Sequence, residues 1–366
     1  AKKYFKISLM KKFILLPLHA RRSFLCVVVL LTATALFGQD IHFSQFYMSP
    51  LTINPGMAGA QYDMQAILNY KNQWQSVTHP YKTFGASFDT RLNKNKSSAG
   101  YFAAGINFFS DKAGTINMGT TQGSLSLAYH AKLNGYNTFG GGLQAGFAQR
   151  SVSYSSIEWG NQYDGTAYNP ALNSGEPLTA ASFTHMDFGV GIVFNHDNTS
   201  GMKNVTNNHD EKLTFGLSVM HINQPKYSFY GTADDKLYMK IVAHGSAILS
   251  LPNSNVAFAP GFMYAHQGKY QEIYAGTLLR FLIGQDSKYT GFKQGSAFSI
   301  GGYFRAKDAI AATMLLEYSN YAFGFSYDVN ISKLKTSTSA RGGVEVTLRY
   351  VSPNPFQAKH SISSFN

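Results

Sequence analysis

From about Gln61 to Tyr350 the side chains alternate between apolar and small or polar types with a period of two. In YAFGFSYDVN, Tyr321, Phe323, Phe325, Tyr327 and Val329 share one face, and Ala322, Gly324, Ser326, Asp328 and Asn330 the other. GVEVTLRY separates Val344, Val346, Leu348 and Tyr350 from Gly343, Glu345, Thr347 and Arg349. LTFGLSVMHI, SLSLAYHA and MDFGVGIVF repeat the pattern. Strict alternation marks a sheet with one apolar and one polar face. A soluble sandwich and a membrane barrel both meet that description. Three features favour the barrel. The runs reach about ten residues, the length a tilted membrane strand needs, where soluble strands average about five or six. Aromatics sit near the ends of many apolar faces, as interfacial girdles do. The opposite faces are mostly Gly, Ser, Ala and Thr, which suits a crowded or wet lumen. Composition agrees without deciding: 23 Tyr and 28 Phe stand against only 14% charged residues, where soluble domains carry about 25%.

The fold expected is all-β, an antiparallel outer-membrane β-barrel of about 14 strands. They fall near 61–71, 81–92, 98–109, 117–132, 137–150, 183–195, 211–222, 236–251, 255–267, 270–283, 295–306, 308–319, 321–331 and 339–350. An even count is expected to place both termini on one side, in the periplasm, as in single-chain bacterial barrels. Short turns at Asn93–Ser98, Asn134–Tyr136, Pro252–Ser254 and Ser319–Asn320 then belong to that side. The longer 151–182, 223–235 and 332–338 connections belong outside, while 196–210 and 284–294 are long for periplasmic turns. The domains expected are an N-terminal extension and cleaved signal peptide (1–38), a periplasmic or lumenal segment (39–60), the barrel (61–350) and a C-terminal tail (351–366).

The first 38 residues look like an export signal. Lys2, Lys3, Lys6, Lys11, Lys12, Arg21 and Arg22 precede an apolar run from Ser23 to Phe37, with Ala33, Ala35 and Gly38 offering a cleavage site. Met10 is a candidate start, with Ala1–Leu9 read in from upstream. The apolar run is shorter than the roughly 20 residues of a spanning helix. This stretch holds no acidic residue, so it supplies much of the net charge of +12. No basic stripe remains to point to nucleic acid. Cys26, the only cysteine, lies inside the run. A mature chain without it has no disulfide, cysteine-bound metal or cysteine nucleophile.

Catalytic patterns are missing. G-x-S-x-G, a phosphate-binding glycine loop and H-E-x-x-H do not occur. His196, Asp197, His209, Asp210 and Glu211 flank one loop and could be drawn as a metal site, but solvated loop side chains are the commoner explanation. The expectation is no enzyme, no metal and no cofactor.

FSQFYMSPLTINPGMAGA (43–60) is too aromatic for a linker, and Pro50, Pro55, Gly56 and Gly59 break any regular period. Exposing its rings would cost roughly 25 cal/mol per Å² of apolar surface. Phe43, Phe46, Tyr47, Leu51, Asn54 and Pro55 are therefore expected to tuck into the periplasmic mouth or lumen as a plug. Two alternatives are an extension of the first strand and a docking peptide for another protein.

HFSQFYMSPLTINPGMAG (42–59) resembles the opening signature of the PorP/SprF family of the type IX secretion system. Similar matches follow in family order: NYKNQW (69–74), PYKTFGASFD (80–89), HINQP (221–225), GGYFRAKDAI (301–310), YDVNISKL (327–334) and GGVEVTLRY (342–350). Many members carry a cysteine-containing tail where this chain has SPNPF (352–356). The resemblance implies a barrel of the bacterial outer membrane that is neither enzyme nor general porin. It implies a secretion and gliding-motility component that holds a secreted adhesin through that partner's C-terminal sorting domain. Other type IX secretion components, including periplasmic, peptidoglycan-linked ones, are the further partners implied, alongside outer-membrane lipid and no nucleic acid. The rival reading is a transport channel for a hydrophobic or small solute, since fourteen strands also suit fatty-acid channels. For partner binding the candidates are Trp74, Trp159, His221, Pro225, Tyr227 and Phe229, all expected at the outer mouth. The competing reading places these rings in the aromatic girdle against lipid headgroups.

Overall fold

The computed structural model describes residues 40–74, 80–92, 99–114, 116–154, 157–175, 181–198, 211–229, 235–284, 295–332 and 335–352. The signal-like stretch 1–38, His209 and Asp210, and tail residues 353–366 lie outside them. The strands are β1 (Met64–Gln73), β2 (Tyr81–Arg91), β3 (Gly100–Ala113), β4 (Met118–Lys132), β5 (Asn137–Ser151), β6 (Ser182–Asp197) and β7 (Glu211–Met220). They continue with β8 (Lys240–Ser250), β9 (Val256–Gln267), β10 (Tyr270–Gly284), β11 (Ser296–Arg305), β12 (Ala309–Tyr318), β13 (Tyr321–Asn330) and β14 (Arg341–Ser352). Each pairs with its sequence neighbours, and β1 pairs with β14 to close the barrel. That seam is continuous from Met64↔Ser352 to Gln73↔Gly343. Closure leaves no strand edge along the sheet, which is the condition for sheet structure in lipid.

The two-residue period sorts the side chains as the sequence predicts. On β12, Ala309, Ala311, Thr313, Leu315 and Glu317 are buried, while Ile310, Met314, Leu316 and Tyr318 are exposed. Phe102, Leu127, Leu143 and Phe323 likewise stand on the outer wall. An outer surface this apolar is a lipid-facing surface. No helix among the described residues is long and apolar enough to cross a membrane.

Two mouths follow from the topology. β1 begins and β14 ends at the terminal mouth, together with turns such as 133–136, 251–255 and 319–320. The opposite, loop mouth carries 152–181, 221–239 and 331–340. Its rim is uneven. β6 is 16 residues long and β7 only 10, and their pairing covers only Val190–Asp197 of β6. Residues 236–239, expected to open β8, belong instead to the 221–239 loop, because Leu237 N–H bonds back to the Pro225 carbonyl at 3.0 Å.

Candidate functional site

Residues 41–63 run inside the barrel from one mouth to the other. At the loop mouth the Ser44 and Gln45 amides donate to the two Glu345 oxygens at 2.6 and 3.0 Å, and Ser44 Oγ donates to Asp328 at 2.8 Å. Lys71 Nζ donates to the His42 carbonyl at 3.1 Å and lies 3.9 Å from Asp328. Arg305 donates to Asp328 at 3.1 Å and to His42 Nε2 at 3.2 Å. Burial, with the nearby Lys71, Arg305 and Lys240 cations, holds the His42 imidazole well below its usual pKa. A neutral ring is what an Arg305 donor requires.

Along the lumen the prolines and glycines set short turns: a 3₁₀ turn Phe46–Met48, a helical turn Pro50–Ile53 and a 3₁₀ turn Pro55–Met57. Phe46 packs edge-on against Tyr303, ring centres 5.5 Å apart. Leu51 packs with Ala103 and Ala128. Asn54 holds the centre. Its Nδ2 donates to the Ile192 carbonyl at 3.0 Å and meets His244 Nε2 at 3.0 Å, while Oδ1 accepts the Gly56 amide at 2.8 Å. The wall gives way there with glycines. A Cβ on Gly191 would fall 2.0 Å from Asn54 Oδ1, and one on Gly142 2.6 Å from the Gly56 nitrogen. Only glycine allows so close an approach.

At the terminal mouth the Gly59 amide donates to Asp89 at 2.8 Å. Arg91 donates to the carbonyls of Gly59 and Ala60 at 2.6 and 3.0 Å, and pairs with Asp63 at 2.7 Å. His130 Nε2 bonds the Ala58 carbonyl at 2.8 Å. The segment thus starts at the mouth opposite to the one where β1 begins. The sequence reading has it start on the β1 side. The difference is physical: Glu345 on β14, which takes the Ser44 and Gln45 amides, and Asp328 on β13, which takes the Ser44 hydroxyl, lie near the loop mouth, not at the strand ends beside Met64.

A model of the type IX secretion system membrane protein PorP/SprF matches residues 35–350. The chain belongs to the PorP/SprF family. No curated protein matches it. Solved structures similar to it include the P. putida toluene transporter TodX, 10% identical over 81% of this chain and 92% of that one, TM-score 0.44. The CymD monoaromatic hydrocarbon channel is 9% identical over 86% and 95%, TM-score 0.41, and CdiB from Acinetobacter baumannii 7% over 79% and 60%, TM-score 0.38. Likeness at this level concerns barrel architecture and says nothing of ligands. PorP/SprF membership and the closed barrel make this an outer-membrane protein of the type IX secretion system.

Within the family signature, Phe43, Phe46, Leu51, Asn54 and Pro55 are buried and Tyr47 is half-buried. The Tyr47 carbonyl accepts from Arg349 at 2.7 Å. Of the candidate partner residues, Tyr227 and Phe229 meet on one ring, Phe183, while Trp74 and Trp159 lie on other connections. Trp74 follows β1 with a positive φ of 57°, its amide bonded to the Gly342 carbonyl and its ring edge-on to Tyr81 at 4.9 Å. Trp159 is half-buried in the 152–181 loop. The family's HINQP stretch finishes the wall. His221 bonds Asp187 at 2.8 Å, and the Ile222 amide and Asn223 side chain bond Phe188 and Met186 on the projecting half of β6. Pro225 starts the fold-back of that loop. Tyr227 and Phe229 pack edge-on against inward-facing Phe183 at 5.5 and 4.9 Å, with the Arg150 guanidinium 4.6 Å from the Tyr227 ring. Both rings thus rest against side chains on the inward face of β5 and β6.

The charged lumen groups Lys71, Arg305, Asp328 and Glu345 were not singled out from sequence. Their signal was available: ionisable residues on the polar face of a membrane strand are costly and mark functional interiors. Among the described residues no three His, Cys, Asp or Glu side chains are grouped to hold a metal ion. His196, drawn as one candidate ligand, bonds Asn137 at 2.7 Å.

Proposed function

We propose that this barrel is a non-catalytic anchor of the type IX secretion system, holding a secreted adhesin by its C-terminal sorting domain at the loop mouth, which faces outward. The observation that carries this reading is the occupied lumen. A family-signature segment bonded to the wall at both mouths and at the centre suits a scaffold and leaves a solute channel no through path. Both barrel ends then face the periplasm, where other secretion components and peptidoglycan-linked partners are reached.

The 152–181 loop supports the choice of mouth. Its described stretch 157–175 is held by its own bonds: Asp164 Oδ1 accepts the Thr166 and Ala167 amides at 2.9 and 2.8 Å, and Gln162 Nε2 donates to the Leu172 carbonyl at 3.0 Å. So braced, it presents Tyr163, Tyr168 and Leu172, which are 57%, 40% and 38% exposed, beside Trp159. Rigid tyrosine and tryptophan surface is the usual material of binding hot spots. The test measures binding of the isolated sorting domain to purified barrel. Trp159→Ala combined with Tyr163→Ser should leave the barrel heat-modifiable and weaken binding at least tenfold, since a hot-spot ring is worth about 2 kcal/mol. Unchanged binding by the folded double variant would move the docking site to the terminal mouth.

A further inference from the structure

At the loop mouth the barrel wall steps down between β6 and β7. β5 pairs with β6 along its whole length, from Asn137↔His196 to Ser151↔Ser182, whereas β7 pairs only with Val190–Asp197. Beyond Val190 the β7 side of β6 is closed for a short way. The Ile222 amide donates to the Phe188 carbonyl at 3.0 Å. The Phe188 amide donates to Asn223 Oδ1 at 3.3 Å, and Asn223 Nδ2 donates to the Met186 carbonyl at 2.7 Å. There the chain turns away. His221 and Gln224 adopt positive φ of 57° and 42°, and the Gln224 amide closes on the His221 carbonyl at 3.0 Å. Tyr227 and Phe229 then go to the inward side, against Phe183.

The bonds at Phe188 and Met186 show which backbone groups face that side. In an antiparallel strand the residues whose N–H and C=O point to one neighbour recur at every second position. Even-numbered residues of β6 therefore present theirs to the β7 side. Both groups of Ser182 and Thr184, and the Met186 amide, have no partner there among the described residues. These groups stand beyond the apolar belt. Phe147 and Phe188 are exposed on the outer wall of β5 and β6, and Gln149, Ser182 and Thr184 replace them towards the rim. An edge in water escapes the rule against unpaired backbone in lipid. Residues 182–186, SFTHM, also carry none of the proline or lysine that usually blunts an exposed edge.

We propose that the open edge Ser182–Met186 of β6 takes an extended segment of a protein partner as an added strand. The occupant follows from the spacing. Donor and acceptor recur together at every second residue, about 7 Å apart, and an extended backbone has the same repeat. Main-chain bonds then supply affinity, and alternate side chains supply selectivity. Inward residues of the added strand lie beside Phe183, which favours apolar side chains there. Outward ones meet Thr184 and Met186. The edge follows directly on the 152–181 loop in the chain. The assignment therefore rests on the reading that this mouth holds the secreted partner, and it names how a segment of that partner is gripped.

The experiment measures amide hydrogen exchange of the purified full-chain barrel in detergent, alone and with the isolated sorting domain, together with the affinity of the pair. In the free barrel the Thr184 and Met186 amides should exchange near their intrinsic rates, and binding should slow them at least tenfold. Thr184→Pro removes an edge donor without touching the bonds to β5. It should leave the barrel heat-modifiable and weaken binding at least tenfold. Thr184→Val, which keeps the amide, should bind within threefold of the unaltered protein. The exchange measurement needs no variant, so it decides even where Thr184→Pro misfolds. Slow exchange of these amides in the free barrel would overturn the proposal whatever the partner does. Protection that rises with barrel concentration alone, the mark of pairing between two copies, would also overturn it. Binding that leaves both amides unprotected, or a folded Thr184→Pro barrel that binds normally, would overturn strand addition and leave the docking reading standing. Absence of binding by the unaltered barrel would overturn both.

Discussion

His42 is the residue where the chemistry of the loop mouth is most exposed to test. Its side chain is 18% exposed and its Nδ1 lies 3.7 Å from Glu272, yet burial and three cations keep the ring neutral. A histidine whose folded pKa is depressed binds fewer protons folded than free. Its contribution is therefore whole above its ordinary pKa, about 6.5, and is lost as pH falls below that value. Acid should loosen the start of the lumenal segment first. The expected outcome is that protection of the Ser44 and Gln45 amides, measured as exchange relative to the intrinsic rate at each pH, falls between pH 7.5 and 5, and that His42→Gln flattens this dependence. Protection that stays constant or rises on acidification would contradict the assignment of a neutral ring. At the same scale, Gly191 and Gly142 show why a polar strand face can be made of glycine: the missing side chains are the space that Asn54 and Pro55 occupy.

The strands and the lumenal segment were legible in the sequence to different degrees, for one reason. A strand writes its environment locally, every second residue, so YAFGFSYDVN already shows which side chains meet lipid. Its register with β12, Tyr318↔Tyr321 to Ala309↔Asn330, follows from that pattern and a two-residue turn. The segment 41–63 has no such period. Its rings announce that something must cover them, but the covering groups sit on distant strands, as Glu345 does 301 positions from Ser44. Nothing local states its direction of travel, which is why its start at the loop mouth was not readable. The loop 221–239 is similar: Tyr227 and Phe229 look like free docking rings until Phe183 and Arg150 are placed beneath them. The segment's burial has its own test. Cysteines at Phe46 or Leu51, 2% and 0% exposed, should react with a water-soluble maleimide far more slowly than a cysteine at Tyr163. Equal rates would show that the segment leaves the lumen.

At the scale of the whole molecule, a closed sheet surrounds a chain that passes through it, and the two are one polypeptide. β1 cannot zip to β14 after the fact unless residues 41–63 already lie within the curve of the sheet or are later threaded through it. The charge clusters at the two ends hold the threaded state: Glu345, Asp328, Lys71 and Arg305 at one mouth, Asp89 and Arg91 at the other. A cavity of about 100 Å³ remains beside the segment near the terminal mouth. A barrel so occupied serves as a platform between two compartments. The central claim, that the lumenal segment leaves no open path from mouth to mouth, is tested most directly by ionic conductance in a planar lipid bilayer. The intact protein should insert without a steady open-pore current, and a variant lacking residues 43–58 should conduct. A steady ohmic pore from the intact, folded protein would contradict the account.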